Sequence, residues 1–73
     1  MLNDRLPATA DLWRYREAAR IVMAAVRLRT IDPADRYAAN KLFENALNSK
    51  DEALIEWRRG LECELAKLGL RPI

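Results

Sequence analysis

Apolar residues recur at three- and four-residue intervals along three stretches of this chain, which is the spacing of one face of an α-helix. The stretches cover about residues 9–28, 33–48 and 50–68. Val, Ile and Thr never alternate with polar residues as in a half-buried strand, and no Asn-Gly or Asp-Gly hairpin turn occurs. The pattern predicts an all-α fold, a small antiparallel three-helix bundle.

Residues typical of helix ends separate the three stretches. Asp32 followed by Pro33 is the predicted N-cap and first turn of the second helix, and Ser49 with Glu52 matches the capping-box pattern of the third. Gly69 is predicted to end the third helix, because glycine tolerates the left-handed conformation that follows many helices. Since almost no residues separate helices 2 and 3, we expect them to be antiparallel neighbours or to meet at a sharp corner.

The first predicted helix carries two apolar faces. One is expected to face the core and consists of Leu12, Tyr15, Ala19, Val22 and Val26. The other lies roughly 100° further round the axis and consists of Ala18, Ile21, Ala25 and Leu28. Two interpretations stay open: helices 2 and 3 cover both faces, or one face contacts another copy of the chain.

The other two helices have one clear apolar face each. In helix 2 this face is Ala39, Leu42, Phe43, Ala46 and Leu47, opposite a polar side rich in Asn. In helix 3 it is Leu54, Trp57, Leu61, Leu65 and Leu68, the clearest stripe in the chain. Gly60 interrupts helix 3 and predicts either a close helix approach or a slight bend.

The length of 73 residues allows one domain. Residues 1–8 show no sustained period and are expected to be a partly ordered lead-in to a single helical domain over residues 9–73. A chain of this size buries only about 60% of its unfolded surface, which favours self-association. No apolar run approaches the roughly 20 residues that cross a bilayer, and no secretory signal is visible, so we expect a cytoplasmic protein without a membrane span.

The residue types needed for most catalysis are missing. Without histidine the chain has no usual general base or imidazole metal ligand, and the single Cys63 can supply neither a thiolate cluster nor an internal disulfide. Two glycines cannot build a phosphate-binding loop. We therefore expect no enzymatic activity, no cofactor and no metal site.

The charge distribution suggests one possible nucleic-acid surface. The net charge is only +2, but residues 9–29 carry five Arg against two acidic residues. On this helix Trp13, Arg16, Arg20 and Arg27 form an Arg-rich face that could contact phosphates. The ordinary alternative is a solvated face, which the nearby Glu17 favours.

Protein-interaction candidates lie on two helices. On the outer side of helix 3 these are Ile55, Arg59, Cys63 and Ala66, and on the second face of helix 1 they are Ile21, Ala25 and Leu28. Scattered surface apolar residues are the alternative interpretation for the helix 3 set. Near them, Arg58 and Arg59 form a second basic pair, which could contact phosphates or equally form an ion pair with Glu62 one turn on.

Together these features predict a non-enzymatic helical module that binds another protein as an adaptor, regulator or inhibitor, and that acts as a homodimer. Small helical proteins of phages and other mobile elements act in this way, and only the size of the chain points to that class. The alternative function is a nucleic-acid-binding accessory protein that uses the Arg-rich face of helix 1.

Overall fold

The computed structural model describes residues 9–70 and consists there of three α-helices without a strand. Helix α1 spans Thr9–Arg27, α2 spans Arg36–Leu47 and α3 spans Asp51–Lys67. They pack as a small three-helix bundle, which confirms the predicted fold class. The predicted lead-in over residues 1–8 lies outside the described residues, as do residues 71–73.

Helix α1 is the central element of the bundle, because both other helices pack against it while they hardly contact each other. Three ion pairs join α1 to α3 in the same chain direction, so these two helices run parallel: Arg14–Asp51, Glu17–Arg58 and Arg20–Glu62. Helix α2 runs along α1 in the opposite direction, with the ring of Phe43 beside that of Tyr15 and the last carbonyl of α2, that of Leu47, bonded to Arg14. The short α2–α3 link is therefore a sharp corner.

The core of α1 is not the face that its spacing first indicated. Leu12 and Tyr15 were expected inside, yet they are 44% and 45% exposed. The buried positions are instead those of the second apolar face together with its neighbours: Glu17, Ala18, Ile21, Ala24 and Ala25. This face has small side chains at several positions, which lets two helices approach α1 at once.

Helices α2 and α3 contribute the apolar faces that were predicted. Ala46, Leu54 and Leu65 are buried. Six half-buried side chains pack around the buried cluster of Ala18, Ile21, Ala46 and Leu54. They are Trp13, Leu42, Phe43, Leu47, Trp57 and Leu61. Leu68 is an exception at 65% exposed, because α3 has already ended at Lys67.

Both predicted N-caps are wrong: that of α2 lies three residues later than predicted, and that of α3 lies one residue later. Asp32 closes a turn before α2, accepting a hydrogen bond from the backbone N–H of Ala34, and Asp35 is the cap that accepts from Ala38. Lys50 is the N-cap of α3 and makes no side-chain cap bond, while the Ser49 hydroxyl donates back to the carbonyl of Asn45. Asp and Ser side chains satisfy several local backbone partners about equally well, so their spacing alone does not fix the first helical residue.

The ends of α1 and α3 share one hydrogen-bond pattern. After α3, Gly69 has φ +77° and donates to the carbonyl of Ala66, and Leu70 donates to that of Leu65. These two bonds form a Schellman arrangement, and the left-handed Gly69 predicted from the sequence is confirmed. After α1 the equivalent residue is Arg29, at φ +64°, a conformation that glycine adopts with less strain.

The expectation of a close helix approach at Gly60 is also wrong. A Cβ atom added at this position would meet nothing within 4 Å, and the residue is exposed. Gly60 therefore faces solvent and serves no packing contact. None of the three helices is long and apolar enough to cross a bilayer within residues 9–70.

Candidate protein-interaction surface

An apolar stripe lies on the side of α1 that faces away from the core. Its large members are Leu12, Tyr15 and Met23, each 44% or 45% exposed, and its other members are the half-buried Ala19, Val22 and Val26. We call these six residues the outer stripe. At 100° per residue they occupy an arc of roughly 100°, about opposite the buried face around Ile21, and they extend over about 21 Å of helix.

The outer stripe is bounded differently on its two sides. On the side of α2, Tyr15 lies beside Phe43, with ring centroids 6.3 Å apart and planes tilted by 47°. On the side of α3 the neighbouring position is the exposed Arg16. No charged residue lies within the stripe itself, so the surface is apolar from Leu12 to Val26.

The helix 1 candidates named from the sequence are not on this stripe. Ile21 and Ala25 are 0% and 3% exposed, so α2 and α3 cover them, and Leu28 is half-buried just after the helix. The face proposed for a partner thus lies mainly in the core, and the face proposed for the core is exposed at Leu12 and Tyr15 and half-buried at its other positions. Spacing alone could not distinguish them because both faces repeat at the same interval.

The helix 3 candidates form a mixed surface. Arg59, Cys63 and Ala66 are exposed and Ile55 is half-buried. Arg59 has an ion pair of 3.9 Å with Glu56, in which both side chains are well exposed. Only Ile55 of this set is a large apolar residue, and it is partly covered, so this side of α3 offers less apolar surface than the outer stripe.

Four charged side chains fill the junction between α1 and α3, and we call them the charged quartet: Glu17, Arg20, Arg58 and Glu62. Arg58 donates to Glu17 and to Glu62, each at 2.8 Å, and Arg20 donates to Glu62 at 2.9 and 3.1 Å. Glu17 is 8% exposed. The predicted Arg58–Glu62 pair is confirmed, whereas its link to Glu17, 41 residues away, was not foreseen.

The quartet is electrically balanced and fully paired. The hydrogen bond to Glu17 raises the pKa of the Arg58 guanidinium above its ordinary value, burial opposes this, and the bond to Glu62 adds to it. Both carboxylates thus accept from a cation that stays charged at any accessible pH. Across the described residues no buried side-chain nitrogen or oxygen lacks a hydrogen-bond partner.

The Arg-rich face proposed for nucleic acid is partly used inside the fold. Trp13 packs against the core cluster, and Arg20 belongs to the charged quartet. Arg16 is exposed and Arg27 is half-buried. Trp13, Arg20 and Arg27 therefore already take part in contacts within the fold, which reduces the charge this face can offer to phosphates.

Arg14 has a role that sequence patterns did not indicate. Its guanidinium donates to the carbonyl oxygens of Leu47, at 2.8 Å, and of Ser49, and pairs with the carboxylate of Asp51. It also lies 5.6 Å from the ring centroid of Trp13. A cation at the carboxyl end of α2 satisfies carbonyls that lack helical partners, so Arg14 holds the α2–α3 corner against α1.

No group of three or more Cys, Asp or Glu side chains within the described range is placed to hold a metal ion. Comparison with models of known protein families, with curated proteins and with solved structures finds no match for this chain. The proposed function therefore rests on the surface of α1 and the chemistry of its residues.

Proposed function

We propose that this chain is a non-catalytic helical module that binds another protein through the outer stripe of α1. The observation that carries the proposal is the row of three large apolar side chains, Leu12, Tyr15 and Met23, left nearly half exposed on one side of one helix. Isolated surface apolar residues are common, but a contiguous row is typical of protein-binding surfaces.

The rest of the molecule supports a binding role over a chemical one. The charged quartet is neutral and occupied by its own contacts, and the chain contains no histidine. The free thiol of Cys63 fits a reducing compartment, which supports a cytoplasmic module. An adaptor, regulator or inhibitor would use the stripe in the same way, by burying it against an apolar surface of its target.

Photo-crosslinking in the cells that make the protein tests this proposal. A benzophenone amino acid at Met23, which is exposed on the stripe, is expected to give protein adducts about tenfold more often than the same group at Asn40 on the polar face of α2. Ala19→Glu in the Met23-labelled chain should abolish most of the adduct, because it places a charge within the apolar contact. Cys63→Arg on α3 should leave it unchanged.

Three outcomes would overturn the proposal. They are adducts of equal yield from Met23 and Asn40, adducts that Ala19→Glu does not reduce, and adducts to nucleic acid in place of protein. The last of these would favour the Arg-rich face as the functional surface. Circular dichroism of each variant confirms that the helices are retained.

A further inference from the structure

We propose that the outer stripe binds a second copy of this chain, with the two α1 helices antiparallel. This inference rests on the proposed function and names the partner. Leu12, Tyr15, Ala19, Val22 and Val26 follow alternating steps of three and four residues, the repeat by which two helices interlock side chains along a common seam. Leu12, Tyr15 and Met23 of the stripe are exposed, and Ala19, Val22 and Val26 between and beside them are half-buried.

The absence of charge on the stripe favours a second copy over an unrelated target. A two-fold interface brings a surface against itself, so any charged group on it meets a like charge near the axis. The outer stripe contains no Asp, Glu, Lys or Arg, and its nearest cation, Arg16, lies at the edge. There the aliphatic stem of Arg16 can cover apolar surface of the second copy while its guanidinium remains in water.

The sizes of the side chains favour the antiparallel orientation. In a parallel pair each layer would join identical residues, so a wide Tyr15–Tyr15 layer would be followed by a narrow Ala19–Ala19 layer. In an antiparallel pair Tyr15 packs beside Val26 of the second copy and Ala19 beside Val22, which makes successive layers more equal in width. Antiparallel helix dipoles also attract each other.

The exposed area places this dimer among small, transient interfaces. Given the exposed fractions of its large side chains, the stripe offers on the order of 300 Å² per copy. A pair would hide about twice that area plus the flanking stems, which is below the roughly 1,200 Å² of stable interfaces. We therefore expect a weak, reversible dimer.

Sedimentation equilibrium of the full chain over about 1 to 500 μM tests the association. We expect a monomer–dimer equilibrium that Ala19→Glu weakens at least about tenfold. Met23→Glu, at an exposed edge position where it cannot disturb the core, should weaken it by a smaller factor. Asn40→Glu on α2 should leave it unchanged.

Disulfide trapping in a Cys63→Ser background tests the orientation. A mixture of Tyr15→Cys and Val26→Cys chains should form the mixed disulfide, because these positions adjoin across the antiparallel seam. Leu12→Cys chains alone should form no disulfide-linked dimer, since the two Leu12 positions would lie about 25 Å apart. Rapid bridging of Leu12→Cys would overturn the antiparallel arrangement.

The two proposals fail in different ways. A chain that stays monomeric up to 500 μM, while the Met23 probe still captures another protein, would overturn the second copy as partner and leave the binding function standing. A monomer without any Met23 adduct would overturn both. A captured adduct with twice the mass of the chain supports both.

Discussion

Among residues 9–70, Arg29 is the non-glycine residue with a positive φ. Its φ of +64° lies in the left-handed region, where the Cβ atom of an L-residue crowds the following carbonyl at about 1 to 2 kcal/mol. The conformation is required because Arg29 donates to Val26 and Thr30 donates to Ala25, which closes α1. Gly69 performs the same role after α3 without this strain.

Replacing Arg29 with glycine should therefore stabilise the protein. We expect Arg29→Gly to raise the free energy of unfolding by about 0.5 to 1 kcal/mol, since relief of the Cβ contact exceeds the added entropy of the unfolded chain. Urea denaturation followed by circular dichroism measures this. Arg29→Ala is the matched control, because it removes the same charge but keeps the Cβ atom, and it should give no gain. Equal stabilisation by both variants would contradict the backbone explanation.

At the scale of elements, the charged quartet joins α1 to α3 beside their apolar contacts. Arg58 is 20% exposed and contacts the nearly buried Glu17, so the pair is largely withdrawn from water. Breaking a buried pair leaves one charge without a partner, which is far more destabilising than the loss of a surface pair. The neighbouring Arg59 is 67% exposed and pairs only with the exposed Glu56.

These adjacent arginines provide a comparison within one helix. We expect Arg58→Met to lower the free energy of unfolding by about 2 to 3 kcal/mol, because Glu17 then stays buried with only a 3.6 Å contact to Arg20. Arg59→Met should change it by less than about 0.5 kcal/mol. Chemical denaturation of both variants measures the difference. A similar small change in both would show that the quartet is well solvated and does not hold the helices together.

At the scale of the whole molecule, stability is expected to be unequal among the helices. Helix α2 is the shortest at 12 residues, packs mainly on α1 and presents an Asn-rich side to solvent. Asparagine has a low helix propensity, so tertiary contacts must hold this segment. Its connection to α3 depends on the bonds that Arg14 donates to Leu47 and Ser49.

Local unfolding of α2 should accordingly require less free energy than local unfolding of α1 or α3. Native-state amide hydrogen exchange, recorded below the concentration at which the chain dimerises, is expected to give protection factors in α2 about tenfold or more below those around Ile21 in α1. Arg14→Met should lower the α2 values further and leave the centre of α1 less affected. Protection in α2 equal to that of α1 would show that the bundle opens only as one unit.

The sequence by itself determined the number of helices, their approximate ends, the apolar faces of α2 and α3 and the Gly69 terminus, because these follow from local spacing and backbone preference. It did not choose among neighbouring capping residues such as Asp32 and Asp35, whose local hydrogen bonds are nearly equivalent. Only the tertiary structure decided which apolar face of α1 is buried. Both faces have the same period, and the rotation of a helix about its axis depends on its neighbours. The burial of Glu17 required Arg58 from a distant segment, and the same packing left Leu12, Tyr15 and Met23 exposed on the other side of α1.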